Sequence, residues 1–329
     1  MTPKIVVYKS LPPDVLDDLR RHAQVVVLEP APGQSREALS DALGAALVDA
    51  DGAIGASIKV TPTMIERAPR LKAISTISVG LDNFDVPDLT RRGIVLAHTP
   101  DVLTESTADT VFALVLSTAR RVVELADWVK AGQWRGSIGP EQYGVDVNGK
   151  TIGIVGLGRI GGALARRAAL GFGMRVLYTN RHPNEQAELA YGARRVELAE
   201  LLAQSDFVCL QVPLTPQTQR MIGARELHAM KRRAILINAS RGAIVDEAAL
   251  IAALADGTIA GAGLDVFEHE PLAADSPLLA MRNVVALPHI GSATHETRHA
   301  MARCAADNLV DALAGRLTRN VANPEVLAR

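Results

Sequence analysis

The segment TIGIVGLGRIGGALARRAA, Thr151 to Ala169, holds the chain's most telling pattern. An apolar, β-branched run, Thr151–Val155, leads directly into Gly156, Gly158 and Gly161 at G-x-G-x-x-G spacing, and Leu164, Ala165 and Ala168 follow at helical intervals. The spacing alone carries little weight in a Gly/Ala-rich chain, but a strand before it and a helix after it make it a dinucleotide-binding turn. In such a turn the first glycine permits the tight bend, the second lets backbone N–H groups approach a pyrophosphate, and the third lets helix and strand pack closely. The helix amino terminus then offers unpaired N–H groups and the positive end of its dipole to the phosphates.

On either side of it, short β-branched runs alternate with Ala/Leu-rich helical segments along the whole chain, the pattern of βαβ units and parallel sheets. Before the glycine turn the candidate strands are Ile5–Tyr8, Val25–Leu28, Ala53–Ala56, Lys72–Ser78 and Ile94–Ala97; after it they are Arg175–Tyr178, Phe207–Leu210, Ala234–Ile237, Ala262–Val266 and Val284–Ala286. Between the two series, Val111, Leu114, Val115, Ala119, Val122, Leu125 and Val129 repeat at helical spacing, predicting one long helix to Lys130 with Ser106 and Asp109 as a capping box. Residues 133–148, with Trp134 and Tyr143, have no period and read as an irregular arm. A last helix is expected over about 293–314.

Composition bounds the function. With 329 residues, 48% of them hydrophobic, the chain can form two domains with cores that need no metal or disulfide. Its 35 basic and 36 acidic side chains leave a net charge of −1, which offers nothing for wrapping nucleic acid. No apolar run is long enough for a membrane span, and the amino terminus lacks the pattern of a secretory leader, so a cytoplasmic protein is expected. Cys209 and Cys304 cannot form a disulfide framework and fit a reducing compartment. Only 3% of residues are aromatic, so Ala, Val, Leu and Ile must fill the core.

About 20 residues past the glycines, where dinucleotide folds place an acid on the adenosine ribose, stands Asn180, followed by Arg181 and His182. An amide does not repel a 2′-phosphate and an arginine pairs with one, which argues for NADP(H) over NAD(H). Three further polar residues follow late strands: Arg241 in NASRG, Glu270 in DVFEHEP and His289 in LPHIGSAT. Open α/β sheets bind ligands at such carboxyl ends. An imidazole can deliver the proton that completes hydride addition to a keto acid, a neighbouring carboxylate stabilises and orients it, and a guanidinium fork binds the substrate carboxylate and polarises its carbonyl.

Taken together, the glycine turn and these three motifs resemble the D-isomer-specific 2-hydroxyacid dehydrogenases over nearly the whole chain. TISVGLDNFDV (76–86), LTESTADTVFALVLSTARRVVE (103–124), SIGP (137–140) and PHIGSATHETR (288–298) are most similar to bacterial glyoxylate/hydroxypyruvate reductases of that family that also reduce 2-ketogluconate. The resemblance implies two Rossmann-like, doubly wound parallel-sheet domains flanking an active-site cleft: 1–100 plus 290–329 for substrate, 101–289 for the dinucleotide. It implies Arg241, Glu270 and His289 as the catalytic set, and Val79 and Gly80, with Arg241, as the substrate-binding set. Thr107, Gly156, Gly158, Arg159, Ile160, Gly161, Asn180, Arg181, Val212, Thr218 and Asp265 become cofactor-lining positions. NADP(H) is the expected cofactor, with NAD(H) possible, and a homodimer built around the arm is the expected assembly.

Competing readings remain. His295-Glu296-Thr297-Arg298-His299 satisfies H-E-x-x-H, the spacing of a zinc protease, but no supporting ligand motif follows, and no metal is assigned. A nucleotide-sensing corepressor and a formate or phosphite dehydrogenase would share the scaffold.

Overall fold

The computed structural model describes residues 2–28 and 35–328 and divides the chain into two compact units, 1–103 with 294–329, and 104–293. In unit 1, β1 (Lys4–Val7), α1 (Pro13–His22), β2 (Gln24–Val27), α2 (Arg36–Leu47), β3 (Gly52–Gly55), α3 (Pro62–Glu66), β4 (Ala73–Thr76), α4 (Val86–Arg91) and β5 (Val95–Ala97) form a five-stranded sheet in the order β2-β1-β3-β4-β5 with its helices. These strands all pair in parallel with one another.

Unit 2 opens with α5 (Thr104–Ala119) and α6 (Val122–Lys130). It continues with β6 (Thr151–Val155), α7 (Arg159–Arg166), β7 (Arg175–Thr179), α8 (Glu185–Tyr191), β8 (Arg194–Arg195), α9 (Leu198–Gln204), β9 (Phe207–Leu210), α10 (Ala224–Ala229), β10 (Ile235–Asn238), α11 (Glu247–Ala255), β11 (Gly261–Leu264) and β12 (Val284–Ala286). Its seven strands lie in the order β12-β11-β10-β9-β6-β7-β8, all parallel. The order reverses between β6 and β9, so the crevice outside their carboxyl ends lies at the glycine turn. The chain returns to unit 1 with α12 (His295–Leu313).

Strands covered on both faces must be apolar on both faces, and β6, β9, β10 and β11 are buried at every residue. One side of the unit 2 sheet packs Val111, Leu114 and Val115 of α5 with Leu164 of α7; the other packs Leu201, Leu227 and Leu250. Aliphatic side chains dominate both layers, with Tyr178 and Phe207 as fully buried exceptions. Short polar side chains start the helices: Ser35, Thr61, Asp85, Asn184, Asp246 and Thr294 each accept a first-turn N–H, satisfying donors the helix leaves unpaired.

The arm departs from the helical pattern of the sequence. The single helix to Lys130 is two helices: Arg121 adopts left-handed φ of 55°, and its guanidinium bonds Glu124 at 2.7 Å and reaches the carbonyl oxygens of Glu141 and Tyr143. The apolar period continues across the break because α6 resumes at once, so periodicity could not reveal it. Nor do Ser106 and Asp109 form a capping box, since α5 begins at Thr104; Asp109 instead binds Arg167, whose Nε lies 2.8 Å away. The two-residue β8 was not anticipated from the sequence.

Candidate active site

At the glycine turn, Gly156 has a φ of 100°, and a Cβ there would lie 2.6 Å from the carbonyl oxygen of Gln211. At Gly161 a Cβ would lie 2.3 Å from the Gly156 carbonyl oxygen, so α7 can start close to β6 only without one. A Cβ on Gly158 would meet no atom within 4 Å, leaving open space in front of the α7 amino terminus. Arg159 and Ile160 begin that helix, and Val212, just past β9, lies against the turn. Thr218 holds the following loop, its hydroxyl donating to the Pro213 carbonyl at 2.6 Å and accepting the Thr215 N–H at 2.8 Å. A bend of this shape, with backbone donors facing open space, fits a dinucleotide pyrophosphate.

Asn180 is placed at the end of β7, but its amide faces the glycine turn: Oδ1 accepts the Leu157 N–H at 2.8 Å and Nδ2 donates to the Leu157 carbonyl at 3.3 Å. Beside it, the Arg181 side chain is exposed.

Arg241, Asp265, Glu270 and His289 follow β10, β11 and β12, three adjacent strands whose carboxyl ends point the same way. His289 Nδ1 lies 2.8 Å from Glu270 Oε2. A carboxylate can only accept, so His289 donates from Nδ1, which leaves Nε2 for a ligand. Glu270 Oε1 also accepts the Phe267 N–H at 3.2 Å. Burial opposes ionisation of Glu270, yet the hydrogen bond and charge of His289, that N–H and the charge of Arg241 outweigh it and hold the carboxyl below its ordinary range. NASRG shapes its own corner: Asn238 Oδ1 accepts the Ser240 N–H at 3.1 Å, and Asn238 Nδ2 donates to the Arg241 carbonyl at 2.9 Å. A Cβ on Gly242 would sit 1.9 Å from the Phe267 carbonyl, so this corner packs directly against the Glu270 segment.

Asp265, fully buried, accepts the Ile290 N–H on Oδ1 at 2.7 Å and the Gly291 N–H on Oδ2 at 2.8 Å. Burial nevertheless pushes its carboxyl above the usual range. Thr107, buried on α5, lies against Gly291. In unit 1, Val79 and Gly80 follow β4, and His98 Nδ1 donates to the Val79 carbonyl at 3.3 Å. Sequence reading singled out neither Asn238 nor His98, because each acts through backbone groups that no motif spacing reveals.

His295 and His299 both lie on α12, where His299 Nε2 bonds the Asp14 carboxylate at 3.0 Å. Among the described residues no three metal-ligating side chains converge.

A parallel sheet carrying this turn and these three strand ends defines a nucleotide-dependent dehydrogenase. The chain belongs to the D-isomer specific 2-hydroxyacid dehydrogenases: the model of that family's NAD binding domain matches residues 112–291. Among relatives, the glyoxylate/hydroxypyruvate reductase B of Yersinia enterocolitica is 59% identical over 327 residues, 99% of each chain. A Thermus thermophilus protein of solved structure superposes with a TM-score of 0.88 at 42% identity, covering 97% of this chain and 99% of its own. An NADPH-dependent glyoxylate/hydroxypyruvate reductase of Sinorhizobium meliloti, solved with NADP and malonate, gives a TM-score of 0.82 at 36% identity, covering 94% and 93%.

Proposed function

We propose that this protein reduces small 2-keto acids, glyoxylate and hydroxypyruvate foremost and 2-ketogluconate among them, to D-2-hydroxy acids, with NADPH preferred over NADH. The observation that carries the reading is the 2.8 Å His289–Glu270 pair beside Arg241 on adjacent strand ends. When bound, the reduced nicotinamide supplies a hydride to the substrate C2. His289 gives the Nε2 proton to the carbonyl oxygen as negative charge develops there, and Glu270 stabilises the imidazolium beforehand and keeps the ring oriented. Arg241 binds the substrate carboxylate and polarises the carbonyl. In unit 1, the N–H groups of Val79 and Gly80 receive the carboxylate.

Gly156, Gly158 and Gly161, with Arg159 and Ile160, hold the pyrophosphate; Arg181 pairs with the adenosine 2′-phosphate; Thr107, Val212, Thr218 and Asp265 line the remainder. Unit 1 is read as the substrate domain and unit 2 as the dinucleotide domain of a cytoplasmic homodimer. The arm supports that assembly: no residue of α6 is buried, and Val122, Val123, Val129, Trp134, Ile138, Tyr143 and Val145 are all exposed. A contiguous stretch so rich in exposed apolar side chains marks an interaction surface. A panel of keto acids, assayed by oxidation of NADPH and of NADH, tests the reading. NADPH binding without turnover on any keto acid would indicate a sensor, and oxidation of formate or phosphite with NAD would indicate the sister chemistries.

A further inference from the structure

Arg195 lies in β8, a strand of two residues paired with β7, Leu177 opposite Arg194 and Tyr178 opposite Arg195. Successive side chains of a strand leave on opposite faces, and these two part accordingly. Arg194 goes to Glu200, 2.7 Å away. Arg195 instead spends its donors on main chain at the end of β7: Nε and Nη2 reach the Asn180 carbonyl at 3.1 and 2.8 Å, and Nη2 also reaches the Arg181 carbonyl at 3.0 Å. The other side of the same turn is fixed too. Asn180 and Asn184 both donate to the Leu157 carbonyl, and the Asn184 N–H donates to the Tyr178 hydroxyl, which itself donates to Glu188. What these anchors leave exposed is the side chain of Arg181, which among the described residues has no hydrogen-bonding or ion-pair partner.

We propose that Arg195 is a positioning residue for cofactor discrimination, clamping the backbone of Asn180 and Arg181 so that the Arg181 guanidinium is held ready for the adenosine 2′-phosphate. The inference rests on the NADPH reading above. A long, exposed arginine gives up side-chain freedom on binding a phosphate, and a fixed main chain beneath it reduces the remaining loss. A charged fork bonding two successive carbonyls supplies that fixity.

The test is calorimetric titration of adenosine 2′,5′-bisphosphate and of 5′-AMP into wild type, Arg195→Ala, Arg195→Lys, Arg181→Ala and the Arg181→Ala/Arg195→Ala double variant, with melting temperatures recorded for each. In Arg195→Ala the bisphosphate binds about tenfold more weakly, the equivalent of one charge-assisted hydrogen bond, while 5′-AMP changes less than about twofold. Arg195→Lys, which keeps the charge without the fork, loses most of the same affinity, and the double variant binds no worse than Arg181→Ala. Equal weakening of both nucleotides, full retention in Arg195→Lys, or additive losses in the double variant would each overturn the clamp. If Arg181→Ala weakens the bisphosphate and Arg195→Ala does not, this inference alone fails. If Arg181→Ala has no effect, the phosphate assignment fails and the clamp with it.

Discussion

His289 has a φ of 57°, a conformation that costs a residue with a side chain about 1–3 kcal/mol and persists only where its surroundings hold it. Asp265 imposes it, binding the N–H groups of the next two residues, so the buried acid acts on the imidazole through the backbone. Replacing His289 with Asn is expected to lower kcat about 10²–10⁴-fold, the usual contribution of a positioned general acid, in steady-state keto-acid reduction. Glu270→Gln keeps the shape and removes the charge, and kcat falls as the imidazole loses its anionic partner. The depressed Glu270 carboxyl sets the pH dependence of stability on the acid side: its pairing contributes stability above the ordinary carboxylate pKa of about 4.3 and loses it only as pH falls through the lower folded value. At the cofactor turn the glycines separate fold from binding. Gly161→Ala should lower the melting temperature and cofactor affinity together, whereas Gly158→Ala should melt as wild type yet bind NADPH more weakly, because its methyl meets only the space a pyrophosphate would fill. The placement of Arg241, Glu270 and His289 past adjacent strand ends was legible because each follows a plainly written apolar run. The use of the Asn180 amide was not, because a residue type at the end of the next strand does not say which way it faces.

Among the elements, strands were the most legible and their neighbours' junctions the least. β6, β9 and β12 match their expected ranges residue for residue; β6 and β9 are buried on both faces and are written as near-continuous apolar runs, while the edge strand β12 is marked by its paired valines. β8 escaped because two exposed arginines carry no such signal; it exists through its pairing with β7. The α5–α6 break escaped because neither Gly nor Pro marks it, and a long-range contact from Arg121 to the 141–143 backbone holds the bend. Arg121→Ala should therefore leave the sheet intact and loosen the arm. Amide exchange over 122–145 is expected to accelerate while the β6 and β9 amides keep their protection; unchanged arm exchange would show that Arg121 does not pin it.

At the scale of the molecule, the low aromatic content finds its explanation in layers of small aliphatic side chains, and it throws the exposed arm into relief: Trp134 and Tyr143 are each 60% exposed. If the arm joins two copies, a charge on it should separate them. Val129→Glu with Tyr143→Glu is expected to convert a dimer to a monomer in sedimentation velocity, and a wild-type chain that already sediments as a monomer would remove the proposal. The two parallel sheets were legible from the alternation of strand and helix, while their division at 103/104 and 293/294 depends on packing that no local pattern records. The most direct test of the whole account is the initial rate of NADPH and NADH oxidation with glyoxylate and hydroxypyruvate, for wild type and His289→Asn. Turnover of both acids, kcat/KM at least about tenfold higher with NADPH, the effect of about 1.4 kcal/mol, and loss of turnover in the variant are predicted. No turnover by wild type, or a variant as active as wild type, would contradict it.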